Sequence, residues 1–414
     1  MRNWAMAKIG YIVPEFPGQT HIFFWREIKR LEEMGVEVDI VSTQRPPVSI
    51  RSHAWCEEAE NRTAYLAEGG KMSIAAGLAA ASVRSSLAGW GKCLRSIVRA
   101  DVSAKQRAEI VVMAGFGAML GRIAKDRRWQ HMHVHSCANA ANITAFASLL
   151  SDVPYSLTLH GPLSDYGANQ AEKWRHAAFG VVITQKLLAE LEEQLGTSIA
   201  GKAEIAPMGV NLDTFKRGGP YYAWDGSGVA RLYSVGRLNP CKGHDDLIRA
   251  VAILKQRGLA VHLTIAGQDE QGGAGYYRTL KALVDDMGLQ DSVTLAGAIS
   301  ERAIVDGLLS SHVFALASLH EPLGVAIMEA MALEMPVVVT SAGGVKELVE
   351  HDRDGFLVEA RRPDAMAGAI EKVLTNPDLA TRLAASSRET IRNGFQDTRS
   401  AELLAHRVST LPPR

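Results

Sequence analysis

Short runs of β-branched and aliphatic residues alternate with segments of helical period along almost the whole chain, the pattern of parallel sheets joined by crossover helices. In the first half, strands are predicted at 8–13 (KIGYIV), 36–42 (VEVDIVS), 131–136 (HMHVHS), 155–160 (YSLTLH), 181–185 (VVITQ) and 204–208 (EIAPM). In the second half they fall at 231–236 (RLYSVG), 261–267 (VHLTIAG), 292–297 (SVTLAG), 313–318 (VFALAS), 336–341 (PVVVTS) and 355–359 (GFLVE). The fold class is α/β, with two Rossmann-like, doubly wound domains. Between the two series, GVNLDTFKRGGPYYAWDGSGVA reads as a linker with turns rather than a packed element, which puts the boundary near residue 215. The domains are then 1–215 and 216–395. Each sheet offers a crevice beyond the carboxyl ends of its strands; if the two face each other across a cleft, the active site is the gap.

Composition narrows the function without naming it. A chain of 414 residues with 47% hydrophobic and 22% charged residues is long enough for two well-packed cores. Lys plus Arg equals Asp plus Glu at 45 each, so no global basic field favours nucleic acid. Cys56, Cys93, Cys137 and Cys241 are widely spaced, which argues against a disulfide or zinc framework and fits a reducing cytoplasm. The start runs straight into a strand with no secretory signal, and the apolar stretch 72–90 is interrupted by Arg84 and rich in Ala and Ser, so no membrane span is expected.

Charge is uneven locally. Residues 71–128 carry eleven Lys or Arg against three acidic residues. There Trp90, Leu94, Ile97 and Val98 sit at helical spacing beside Lys92, Arg95 and Arg99. This segment either lies on an anionic lipid surface or is a solvated helix packed by its apolar stripe.

Two segments carry the chemistry. In LHEPLGVAIMEAMALEMPVVVTSAGGVKELV, from Leu319, a strand ends near Ser318, a loop holds Glu321, and a helix is expected to start around Pro322 to Gly324, since Pro suits a first helical position. Gly324 admits close approach to the backbone, and free N–H groups with the helix dipole favour an anion such as a diphosphate. Read along a helix, Glu321 and Glu329 are about 12 Å apart on one side, a layout for two hydroxyl-bearing rings flanking a phosphate. Glu329 lies in an apolar run, where an idle carboxylate is costly to bury. In SVGRLNPCKGHDDLIRAV, from Ser234, a strand delivers Arg237 to its tip and Lys242 follows a turn closed by Gly243. Two fixed cations there neutralise a diphosphate in place of a metal ion. Asp245-Asp246 and Asp285-Asp286 fall in helical patterns and not at strand ends, so no metal site and no cofactor are expected.

The GRLNPCKG, EPLGVAIME and AGGVKE segments together resemble the retaining glycosyltransferases of the GT-B fold, family GT4, in the branch making bacterial exopolysaccharides and lipid-linked glycans. The resemblance covers nearly the whole chain and is strongest over 231–360. It implies that Arg237 and Lys242 bind the diphosphate, Glu329 the ribose hydroxyls and Glu321 the donor hexose. Leu323, Gly324 and Val325 would supply backbone N–H groups, Ala298 and Ile299 main-chain contacts to the base, and Gly236 and Gly267 further parts of the donor site. His160 and Gly161 match the family's HG element beside the transferred sugar. The loop at Gly18 departs from the paired glycines of many relatives, because Gln19 follows; Thr20, His21 and Asn139 are acceptor-side candidates. The C-terminal helix, 396–414, is expected to brace the first domain.

The implied reaction moves a hexose, with UDP-hexose preferred over GDP-mannose, from a nucleotide sugar to an acceptor hydroxyl of a glycan or lipid-linked glycan. Retention without an enzymatic nucleophile points to front-side displacement. A sugar-nucleotide 2-epimerase and a non-catalytic nucleotide-sugar binder are the competing readings; a nicotinamide dehydrogenase is disfavoured because PEFPGQT, not GxGxxG, follows the first strand. The expected location is cytoplasmic, with peripheral membrane contact through 71–128.

Overall fold

A computed structural model of the chain describes residues 7–18, 21–46, 55–68, 71–269 and 275–412. It divides into two units, Met1–Met208 with Asp397–Arg414, and Gly209–Gln396.

The first unit holds a seven-stranded sheet in the order β3-β2-β1-β4-β5-β6-β7. The strands are β1 Lys8–Glu15, β2 Glu37–Gln44, β3 Thr63–Tyr65, β4 His131–His135, β5 Tyr155–Leu159, β6 Phe179–Val182 and β7 Ala203–Ile205. Every pairing is parallel. β4 and β5 are buried at every position, as strands covered on both faces are. Six strands were expected here; the additional one, β3, is a three-residue edge strand, too short for its alternation to show.

Helices Lys71–Val83, Leu87–Arg99 and Ala104–Asp126 fill the insertion between β3 and β4. Ser86 and Ser103 cap the second and third of these, Ser103 in a reciprocal box with Gln106. Cys93, Ile97, Ile110, Ala114 and Ala118 pack with Phe146 and Leu150 of helix Asn139–Ser151. The expected apolar stripe is split by this packing: Ile97 is buried, whereas Leu94 and Val98 point to solvent. Trp90 is half-buried and its indole N–H donates to the Ser82 carbonyl. Among the described residues no helix is long and apolar enough to cross a membrane.

The second unit holds a six-stranded parallel sheet, β10-β9-β8-β11-β12-β13. Its strands are β8 Ala230–Val235, β9 Val261–Ala266, β10 Val293–Gly297, β11 Val313–Leu316, β12 Val337–Thr340 and β13 Phe356–Val358. The order runs outward from β8 in one direction and from β11 in the other, so the switch point lies between those two strands.

The segment read as a linker is anchored to the second unit. Phe215 is fully buried, Tyr221 Oη donates to the His312 carbonyl at 2.7 Å, and Arg217 Nε donates to the Leu333 carbonyl at 2.9 Å. The division therefore falls at Met208/Gly209, earlier than residue 215. There the Val210 N–H donates to the Phe395 carbonyl at 2.9 Å and Val210 bridges Gln396. Helix Thr398–Thr410 lies in the first unit, tied by Arg30 Nε to Asp397 at 3.1 Å and by Arg407 to Glu204 at 3.0 Å.

Candidate active site

At the switch point of the second sheet, the loop after β8 and the loop after β11 are laced together. The Leu319 N–H donates to the Cys241 carbonyl at 2.7 Å. Lys242 Nζ donates to Glu321 Oε2, which also accepts from Ser318 Oγ at 3.1 Å. Glu321 is buried and Lys242 half-buried. A carboxylate removed from water requires this counter-charge and these donors.

The turn around Lys242 depends on Gly243, whose φ is +61° and whose added Cβ would lie 2.0 Å from the Ala317 carbonyl oxygen. Gly343 is constrained in the same way, with a Cβ 2.1 Å from the Glu321 carbonyl oxygen. Arg237 is exposed at the tip beyond β8. Gly236 donates its N–H to Ala266 at 3.0 Å and Gly267 donates to Gly297 at 2.9 Å, locking the ends of β8, β9 and β10 together. Ala298, exposed, and Ile299, half-buried, follow β10 directly.

The helix that follows Glu321 is Val325–Ala332, with Gly324 as its left-handed N-cap. Pro322 lies in the preceding bend and does not open the helix, because the chain must turn through Gly324, at φ +102°, before it can wind. Glu321 is thus a loop residue and only Glu329 is helical, so a helical rise does not measure their separation. Leu323 is buried, Val325 is half-buried at the first turn, and Glu329 is 8% exposed. The structure brings together Arg237, Lys242, Gly236, Gly267, Glu321, Leu323, Gly324 and Val325 around the carboxyl ends of the strands of one unit.

In the first unit, His160 follows β5 directly and is half-buried against Phe23 and Phe24, each with its ring centroid 5.5 Å away. Gly18 follows β1 and is buried; its carbonyl accepts from the His21 N–H at 2.8 Å. His21 is the residue before helix Ile22–Glu33 and stacks on Phe16. Asn139, exposed, opens the helix after β4. Thr20 and Gln19 lie outside the described residues.

Sequence reasoning missed a buried polar group beneath His160. His131, His133 and His135 alternate along β4 and share one face of the sheet. His133 is hydrogen-bonded to Ser156 at 2.7 Å and Thr158 at 3.0 Å, and His131 to Ser156 at 2.7 Å. His135 Nε2 lies 2.8 Å from Glu27 Oε2, which also accepts from Tyr11 Oη at 2.6 Å. His135 Nδ1 is 2.9 Å from His160 Nε2. Ligand atoms of Glu27, His133 and His135 fall within 4.8 Å of one another, a spacing compatible with a metal ion. Both ring nitrogens of His133 and of His135 already have protein partners, so the group is a hydrogen-bonded chain. The signal was present: a period-two histidine row inside a strand expected to be buried.

Comparison with known proteins bears on both units. Residues 227–390 match the family described as "Glycosyl transferases group 1". A GDP-mannose-dependent alpha-(1-6)-phosphatidylinositol monomannoside mannosyltransferase of Mycobacterium tuberculosis is 30% identical over 224 residues, 49% of this chain and 55% of that protein. The chain thus spans about half the length of this curated relative. A D-inositol 3-phosphate glycosyltransferase of Stackebrandtia nassauensis is 24% identical, over 89% of this chain and 82% of its own length. Among solved structures, Anabaena HepE in complex with UDP and glucose superposes with a TM-score of 0.74 at 18% identity, covering 98% of this chain and all of that one. The sucrose-phosphate synthase of Thermosynechococcus elongatus gives 0.72 at 19% identity, over 98% and 99%. The chain thus has the two Rossmann-like domains of the GT-B fold, and its residues 227–390 match the group 1 glycosyl transferases.

Proposed function

We propose that this chain is a retaining hexosyltransferase that moves a sugar from a nucleoside diphosphate to an acceptor hydroxyl without a metal ion. The observation that carries this reading is the Lys242–Glu321 pair at the β8/β11 switch point, with Arg237 beside it and the Gly324 turn opening a helix. Glu321 holds the ammonium in place, and Lys242 and Arg237 take the negative charge of the diphosphate. Glu329 takes the ribose hydroxyls and Ala298 and Ile299 the base; in the first unit, His160 contacts a sugar hydroxyl.

In the reaction, the acceptor oxygen bonds to the anomeric carbon on the face the diphosphate leaves. The carbon–oxygen bond to phosphate breaks, and the acceptor proton passes to the departing phosphate oxygen. Arg237, Lys242 and the N–H groups after Gly324 stabilise the charge that develops there.

The relative named as GDP-mannose-dependent places GDP-mannose beside UDP-hexose as a donor to test, and its lipid acceptor supports a lipid-linked glycan as acceptor class. Surface composition supports an enzyme resting on a membrane surface. Six of the eight large exposed hydrophobics among the described residues lie between Val83 and Val112, inside the basic insertion. Leu87, Leu94 and Val98 recur at i, i+7 and i+11 along one helix, the stripe an interfacial helix presents to anionic lipid.

The test is release of nucleoside diphosphate from GDP-mannose, UDP-glucose and UDP-galactose, with and without membrane lipid extract as acceptor. Acceptor-dependent release supports the reading; conversion of donor with no acceptor identifies an epimerase, and no turnover or binding of any donor overturns it.

A further inference from the structure

The buried groups under His160 form a chain with a chemical direction. Tyr11 on β1 and Glu27 on helix Ile22–Glu33 are fully or almost fully buried, as is His135 on β4. Tyr11 Oη and His135 Nε2 converge on Oε2 of Glu27, at 2.6 and 2.8 Å. A carboxylate oxygen only accepts, so His135 carries its proton on Nε2. Its Nδ1 is then a bare lone pair, and the His160 Nε2 that lies 2.9 Å away must be the donor. On a neutral ring this leaves Nδ1 of His160 without a proton.

From this geometry we infer that Glu27 and His135 are positioning residues that fix His160 as the Nε2–H tautomer, so that its remaining nitrogen accepts a hydrogen bond from a substrate hydroxyl and donates none. The rings are held as well as polarised. His135 and His160 stack at 5.1 Å with 23° between planes, and Phe24 packs against both, at 4.6 and 5.5 Å. His133 is committed to Ser156 and Thr158 and so does not compete for Glu27. Burial keeps both rings of the relay neutral, His135 well below the ordinary imidazole range and His160 down to about 3.

The consequence is a selectivity rule. An acceptor-only imidazole recognises a sugar hydroxyl by its proton and rejects an analogue that lacks the hydroxyl. This inference deepens the reading of His160 as a sugar contact and rests on it for the identity of the substrate group, but the tautomer is a property of the protein alone.

The test uses the full chain labelled with 15N at histidine, with two-bond proton–nitrogen correlation at neutral pH and His160 assigned by its absence in His160→Gln. The expected signature is a protonated Nε2 and a pyridine-like Nδ1. A protonated Nδ1, or an imidazolium, would overturn the relay. His135→Leu removes the acceptor, so it should release the tautomer and lower kcat about tenfold, the value of one hydrogen bond, with donor KM nearly unchanged. An unchanged His160 spectrum in that variant also overturns it. Should His135→Leu fail to fold, the wild-type spectrum still decides, and Tyr11→Phe, which leaves the direction of the chain intact, should retain the wild-type signature. If the expected tautomer is seen but no nucleotide sugar is turned over, the transferase reading fails and the relay stands; the reverse result removes the relay alone.

Discussion

Lys242 and Glu321 are 79 residues apart in sequence and meet where the strand order of the second sheet reverses, one beyond β8 and the other beyond β11. The contact joins the two halves of that sheet at the end where doubly wound folds take their ligands. It also means that the cation assigned to the diphosphate is held in place by a buried acid.

Removing the cation exposes that dependence. Lys242→Met should leave Glu321 buried without its counter-charge and cost about 3 kcal/mol in urea unfolding, the low end for such a pair because Lys242 keeps some solvent contact. Lys242→Met/Glu321→Met should regain part of the loss. Destabilisation of the double variant equal to the sum for Lys242→Met and Glu321→Met alone would show that the pair is not coupled.

Turnover gives a separate measure. Arg237→Ala and Lys242→Ala should each lower donor turnover about a hundredfold, as loss of one transition-state donor does. Arg237 is exposed, so its substitution should leave the melting temperature within a degree or two. Near-normal turnover by both variants would remove the diphosphate assignment.

Gly343 supports Glu321 from behind. Gly343→Ala introduces a Cβ 2.1 Å from the Glu321 carbonyl oxygen at a residue of φ +64°, and should cost about 2 kcal/mol in thermal or urea unfolding. Because the strain displaces Glu321, activity at a temperature well below unfolding should fall as well. Full activity there would mean the loop absorbs the methyl group elsewhere.

Acid should weaken the fold before the carboxylates titrate. Burial lowers His160 to about 3 and His244 to about 4, below the usual 6.5 of an exposed ring. Between pH 6.5 and about 4 the unfolded chain takes up protons on these rings while the folded chain does not, so stability falls as pH falls through that window. Scanning calorimetry should show a melting temperature that declines from pH 7 to pH 4.5, with a shallower decline in His160→Gln. Identical slopes for the two proteins would refute the contribution of His160.

The membrane surface is tested by flotation with vesicles. The chain should bind phosphatidylglycerol vesicles and not phosphatidylcholine ones, and Leu87→Ser/Leu94→Ser should lose most of the binding without loss of stability, since both side chains are exposed. Wild-type protein that stays unbound on anionic vesicles would rule the surface out.

The strands were legible because parallel sheets buried on both faces leave long aliphatic runs, and the tips of β8 and β11 followed from the same runs. What escaped depended on tertiary placement. Pro322 looked like a helix start until the left-handed turn at Gly324 intervened. His131, His133 and His135 were read as part of a strand and not as a polar face, since nothing local shows that Glu27, Ser156 and Thr158 meet that face from distant segments. The stripe at Leu94 and Val98 has the spacing of a buried seam, yet helices Ala104–Asp126 and Asn139–Ser151 pack on the other side of their helix.

The pairing of Val210 with Phe395 and Gln396 makes the entry and exit of the second unit neighbours in space. A module whose ends adjoin behaves as a cassette: residues 209–396 should be separable as an autonomous polypeptide, and joining its ends by a short loop would allow new termini to be opened at a surface turn such as 226–228.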